Sequence, residues 1–249
     1  MMITISTIHD PQGIFLPLIG KVKQDLEVNF CGTVVAYTAE TSITVIKTLE
    51  KFKLNPILGG LWGEARKKAL SEALKSTSDF IFVCDFDKIL HWLLTAKSEL
   101  KTLLKVNPEA DYLILGRSGR TMATYPLSWV KTESITSHLI SKILGFPVDA
   151  LTAAAILNRR SGEKIARSSC EASWGSCIEW PLIVHAAELD ISYQEAKGLT
   201  WEDPDRFRQE IKNCASLNKW QQEKYDSFSE WERRISILEQ QWQVVNRFS

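Results

Sequence analysis

The chain lacks a charge surplus: thirty Lys and Arg stand against thirty Asp and Glu over 249 residues, with no basic stripe. Electrostatic nucleic-acid binding needs a basic domain or face, so no nucleic-acid partner is expected. Cysteine is sparse. Cys31, Cys84, Cys170, Cys177 and Cys214 form an odd, scattered set without CxxC spacing, which reads as reduced thiols rather than a disulfide frame or zinc site. Long apolar runs are absent, and the opening MMITISTIHD has neither a basic n-region nor a long apolar segment. A cytoplasmic protein without a membrane span is expected, with peripheral membrane contact left open. Several signatures of chemistry are missing too. There is no Gly-x-Ser-x-Gly, no Gly-x-x-x-x-Gly-Lys-Ser/Thr, and no HxxxH or HExxH among His9, His91, His138 and His185.

What is present is a globular composition, 45% apolar and 10% aromatic, enough for a sizeable core. The first half alternates short β-like runs with helical periodicity: ITISTI, GTVVAYT, NPILGG, DFIFVCDFD and ADYLILG, with amphipathic or Ala-rich stretches between them. This pace predicts an α/β domain with a mostly parallel, Rossmann-type sheet and helices on both faces, with ligands at the carboxyl ends of the strands. Residues 1–204 read as that domain. Residues 205–249 read as a C-terminal helical extension, in which Trp220, Trp231 and Trp242 are spaced eleven apart. On one unbroken helix they share a face, which predicts docking on the domain itself or on a second subunit in a homo-oligomer.

The chemistry centres on Asp85-Phe86-Asp87, directly behind the apolar run Phe80 to Cys84. A buried parallel strand delivers its last residues to the sheet rim, where two carboxylates can hold a hard divalent cation that neutralises phosphate charge. The plainer alternative is a helix cap at Asp87. Arg66 lies near the start of the preceding helix, where a guanidinium and the helix terminus both favour an anion; the alternative is a solvated basic face. Arg117 and Arg120, in GRSGRTMATYP behind the fifth strand, either grip an oxyanion or decorate a turn. Glu179, beside Trp180, is the first candidate for a general base, with a first-turn helix position as its alternative. Asp149 is the second candidate.

Taken in order, a strand, a strand followed by Thr41-Ser42, a glycine and arginine on an Ala-rich helix, SDFIFVCDFD, and an acidic residue beside Trp in IEWPLIVHAAELDISYQE resemble the GT-A glycosyltransferases. The resemblance covers about residues 2–203 and is family-2-like. It implies a glycosyl group moved from a nucleotide-diphosphate sugar to a hydroxyl acceptor, with Mg or Mn held by Asp85 and Asp87. It also implies Arg66 at the diphosphate and Asp10 and Thr38 near the nucleotide. Two departures stand out. The first strand ends in Ile8-His9-Asp10-Pro11 rather than a Pro-x-Tyr-Asn-Glu type of segment, and Gln-x-x-Arg-Trp is absent, which points to single rather than processive transfer. The alternatives are a non-catalytic nucleotide- or partner-binding domain of the same fold, or a phosphatase of the haloacid-dehalogenase type. The latter requires its Asp-x-Asp on the first strand of the core.

Overall fold

β-Branched and aromatic runs become the seven strands of one sheet in this computed structural model, which describes residues 2–106 and 108–249. In chain order the elements begin β1 (Met2–Ile8), α1 (Leu16–Asn29), β2 (Phe30–Tyr37), α2 (Ile43–Lys51), β3 (Pro56–Leu58), α3 (Trp62–Ala73), β4 (Phe80–Val83) and α4 (Phe86–Thr95). They continue with α5 (Lys97–Leu103), β5 (Tyr112–Arg117), α6 (Gly119–Met122), α7 (Leu127–Leu144), β6 (Ala154–Asn158), α8 (Arg159–Ser168), α9 (Ser176–Ala186) and β7 (Ile191–Ala196). The tail supplies α10 (Asp203–Arg206), α11 (Arg208–Lys212), α12 (Leu217–Tyr225) and α13 (Phe228–Val245).

The strand order is β3-β2-β1-β4-β6-β5-β7. β3, β2, β1 and β4 run parallel, β6 is antiparallel to both β4 and β5, and β7 is parallel to β5. The expected mostly parallel α/β sheet is therefore present. Every residue of β1 is buried, as a central strand covered on both faces requires. One core joins the sheet to α1, α2, α4 and α5 through residues such as Ile19, Leu49, Ile89 and Leu100. The other joins the opposite face to α3, α7, α8, α9 and α13 through Leu70, Ile140, Ile165, Trp180 and Val244. Because the four parallel strands share a direction, their carboxyl ends form one rim, and Asp85 leaves it immediately after β4.

The tail departs from the expected single helix. The Ser227 hydroxyl accepts the Glu230 amide at 3.3 Å and caps a new helix, so Trp220 on α12 and Trp231 and Trp242 on α13 lie on different axes. Trp220 is buried in an aromatic cluster with Tyr125, Trp201 and Tyr225. Trp242 is 48% exposed, and Phe228 and Ile235 of the same helix are exposed as well. The helix α10 straddles the expected boundary at residue 204. No helix among the described residues is long and apolar enough to cross a membrane.

Candidate active site

At the rim of the parallel strands lies a cavity of about 950 Å³. Its floor comes from strand ends: Thr7 to His9 at the end of β1, Thr38 to Glu40 behind β2, Leu58 to Trp62 from the end of β3 to the start of α3, and Asp85, Asp87 and Lys88 behind β4. The opposite wall comes from the tail, with Asp203, Arg206, Lys224, Tyr225, Arg233 and Arg234 among its residues. Gly63 shapes one lip. A Cβ there would stand 2.1 Å from the Glu171 carbonyl oxygen, so only glycine lets α3 approach the 171–174 loop. That approach lays Trp174 on Trp62 with ring centroids 4.4 Å apart.

The Asp-x-Asp corner is built by the start of α4. Asp85 is the N-cap residue but makes no capping bond with its side chain. Its Oδ1 accepts the Thr7 hydroxyl at 3.4 Å, and its Oδ2 lies 3.3 Å from Lys88 Nζ. The same ammonium is 2.8 Å from Glu202 Oε1. Asp87 sits in the first helical turn, accepts the Lys88 amide at 2.9 Å and lies 4.0 Å from Arg206 Nη1. Asp203 accepts the Tyr225 hydroxyl at 2.6 Å and is 3.7 Å from Arg206. Burial pushes the carboxyls of Asp85, Asp87 and Asp203 above the usual range, although neighbouring cations pull each of them back. For Lys88 burial acts downward, but Glu202, Asp85 and Asp87 outweigh it and hold the ammonium charged.

These donors suit a hard cation. Carboxylate oxygens are the ligands that Mg and Mn prefer. Among the described residues no three His, Cys, Asp or Glu side chains stand close enough to enclose a metal by themselves. A cation held by Asp85 and Asp87 would therefore complete its shell with ligand phosphates and water, the habit of Mg in nucleotide sites. The cavity lining carries seven carboxylates against five Lys and Arg side chains, so a bare diphosphate meets a wall of its own sign.

The structure brings Thr38 to this cavity, with its Oγ1 2.8 Å from His9 Nδ1, but it brings few of the other expected residues. Asp10 turns away and accepts the amides of Ile14 and Phe15 at 2.8 and 2.9 Å, fixing the turn into α1. Arg66 lies behind the wall, 3% exposed, stacked 4.7 Å over Trp180 and donating to the Ala153 carbonyl at 3.2 Å. Ala153 itself lines the cavity with a left-handed φ of 57°. Arg117 is buried: its Nε donates to Asp149 at 2.7 Å, its Nη2 to Glu133 at 2.6 Å, and its guanidinium covers the Tyr125 ring. This also accounts for Asp149, whose carboxyl would rise by burial but is held below the usual range by Arg117. Arg120 is exposed on α6 and does not line the cavity.

Glu179 is also outside the cavity lining. Its carboxylate accepts the Ser169 hydroxyl at 2.6 Å and the Cys170 and Glu171 amides at 3.1 Å, and it lies 3.3 Å from Arg247. Both oxygens are engaged in holding the 169–171 loop, and the residue stands in the first turn of α9, the alternative its sequence position offered. Sequence reasoning missed Lys88, Glu202, Asp203 and Arg206. The acidic cluster Trp201-Glu202-Asp203-Pro204-Asp205 was the available signal, but it sits where the domain was expected to end.

No protein-family model matches the chain, and neither does any curated protein. Among solved structures, it is similar to glucosyl-3-phosphoglycerate synthase from Mycobacterium tuberculosis in complex with uridine diphosphate. That match has a TM-score of 0.58 at 12% identity and covers 99% of this chain and 80% of the other. A second structure of that synthase matches with a TM-score of 0.55 at 13% identity, over 78% of this chain and 70% of the other. A third, in complex with Mn2+, uridine-diphosphate-glucose and phosphoglyceric acid, has a TM-score of 0.52 at 12% identity and covers 78% and 69%. The fold is that of the GT-A nucleotide-sugar glycosyltransferases.

Proposed function

We propose that this chain is a metal-dependent glycosyltransferase that moves a sugar from a nucleotide-diphosphate donor to a hydroxyl acceptor. The observation that carries this reading is the Asp85–Asp87 pair on the floor of a large cavity at the carboxyl ends of the parallel strands. The solved structures of similar fold bind uridine diphosphate and, in one case, Mn2+ with uridine-diphosphate-glucose. That precedent supports the donor class. The phosphatase alternative is disfavoured by topology, since the motif follows β4 and not the first strand of the sheet.

Asp85 and Asp87 would hold Mg or Mn, which when bound offsets the charge of the departing nucleoside diphosphate. Thr7 steadies Asp85 through its hydroxyl. Arg206 brings a guanidinium to the same corner, sandwiched between Phe15 and Phe207 with centroid distances of 5.1 and 5.6 Å. We assign proton acceptance from the acceptor hydroxyl to Asp203, because it lines the cavity, burial raises its proton affinity, and Tyr225 fixes one of its oxygens. The tail then belongs to the catalytic unit, because Asp203, Arg206 and Arg233 all reach the cavity from it.

Donor hydrolysis in the presence of Mn tests the reading without a known acceptor. Release of a nucleoside diphosphate from one of a set of nucleotide sugars, abolished by a chelator, is expected. Asp203→Asn should retain donor binding and lose roughly a hundredfold or more in transfer, the scale of a general base. Transfer within a few-fold of wild type would remove Asp203 from this role.

A further inference from the structure

Lys88 follows Asp85 by three residues, one helical turn, and so is aimed back at the same corner. Its ammonium lies between Asp85 Oδ2 and Glu202 Oε1 at 3.3 and 2.8 Å, with only 14% of the side chain exposed. A buried cation held this closely stands in for the water that the two carboxylates lost on folding. A divalent ion using Asp85 needs the carboxylate that the ammonium now neutralises, and two cations at that separation repel strongly in a partly desolvated site.

We propose that Lys88 is a tethered counter-cation which must yield Asp85 before a divalent metal can bind, so that the corner discriminates against the free ion and admits it together with a diphosphate. The proposal rests on the metal role of Asp85 in the glycosyltransferase reading. Glu202 gives the displaced ammonium a remaining partner, so it need not be left as an unpaired buried charge. A diphosphate also brings negative charge to a wall that Lys88 lines, which lowers the cost of releasing Asp85.

The test is Mn2+ binding to the full chain without nucleotide, read from the loss of the free-ion paramagnetic resonance signal. Lys88→Met should tighten binding by about tenfold or more, as removal of a unit charge at contact distance implies. Lys88→Gln, which keeps hydrogen-bonding capacity without charge, should do the same and covers the case in which the methionine variant does not fold. Lys224→Met removes an equal charge from another part of the cavity wall and should change affinity by less than about threefold. Adding uridine diphosphate should narrow the difference between wild type and Lys88→Met. Unchanged affinity in the two folded Lys88 variants, or an equal gain in Lys224→Met, overturns the counter-cation role. Combining Lys88→Met with Asp85→Asn should abolish the gain. Binding that is indifferent to Asp85→Asn would overturn the metal reading itself, whereas Asp85-dependent binding unmoved by Lys88 overturns only the present proposal.

Discussion

Asp149 receives three donors from a single residue, the backbone amide, Nε and Nη2 of Arg117, at 2.9, 2.7 and 2.9 Å. Arg117 passes the pairing on to Glu133, which also accepts from Arg234 of α13. Removing one partner from such a buried set leaves an uncompensated charge, so Asp149→Asn should destabilise the protein by about 3–5 kcal/mol in chemical denaturation. The folded-state pKa of Asp149 is depressed, so its contribution is present above the ordinary carboxylate range and is lost as pH falls through the lower folded value. The gap between variant and wild type should therefore narrow below about pH 4. A gap independent of pH would contradict the pairing. Glu179→Gln should likewise lower stability, by about 2 kcal/mol, because an amide NH2 would face the donors of Ser169, Cys170 and Glu171. Nucleotide binding should stay unchanged; lost transfer with unaltered stability would return Glu179 to the acceptor side. The first-turn helix position named as the alternative for Glu179 is the one it takes on α9, but its loop partners and the pairing of Asp149 were not visible in the sequence. The strand expected to end at Gly116 runs on to Arg117 and buries it, and the partners of Glu179 include Arg247, distant in sequence from the IEWP segment.

Among the elements, α4 connects the rim to the tail. Asp85 and Asp87 lie at its start, and one turn later His91 places Nδ1 2.7 Å from Asp205 and Nε2 2.7 Å from the Thr200 hydroxyl. The segment carrying Glu202, Asp203 and Arg206 is thereby fastened over the cavity. Deletion after Pro204 removes Asp205 of this fastening and strips Trp220 and Tyr225 from Trp201 and Tyr125. Two such aromatic side chains cover roughly 150–250 Å² each, worth several kcal/mol at about 25 cal/mol per Å². The truncated chain should aggregate, melt at lower temperature and lose nucleotide affinity. Light scattering and thermal melting check this, and a stable, monodisperse truncation that still binds nucleotide would show the tail to be dispensable. The helical character of the tail was legible in the sequence, but the shared tryptophan face was not borne out: Trp220 docks through α12, while Trp242 on α13 stays half-exposed. The tail's division at Asp226 and Ser227, where α12 ends and the Ser227 hydroxyl caps a new helix, was not expected, and neither was its part in the cavity wall, which depends on folding back across the strand rim.

For the whole molecule, the strand and helix order up to β5 could be read because each buried strand is a short β-branched run bounded by helical periodicity. The sequence did not reveal the antiparallel insertion of β6 between β4 and β5, since an apolar run such as AAILN carries no mark of its direction. The placement of the Asp-x-Asp pair at the cavity was legible for the same reason as the fold: its position follows from the end of a buried strand. Glu202, Asp203 and Arg206, which stand beside it, come from a segment more than a hundred residues away, and only the folded chain brings them together. The decisive measurement is calorimetric titration of uridine diphosphate into the wild type and Asp87→Asn, each with Mn2+ and with a chelator in its place. The account predicts Mn-dependent binding in the wild type that weakens by about tenfold or more in Asp87→Asn, with folding preserved. Equal affinity in both proteins, or binding in the wild type that is indifferent to the chelator, would contradict it.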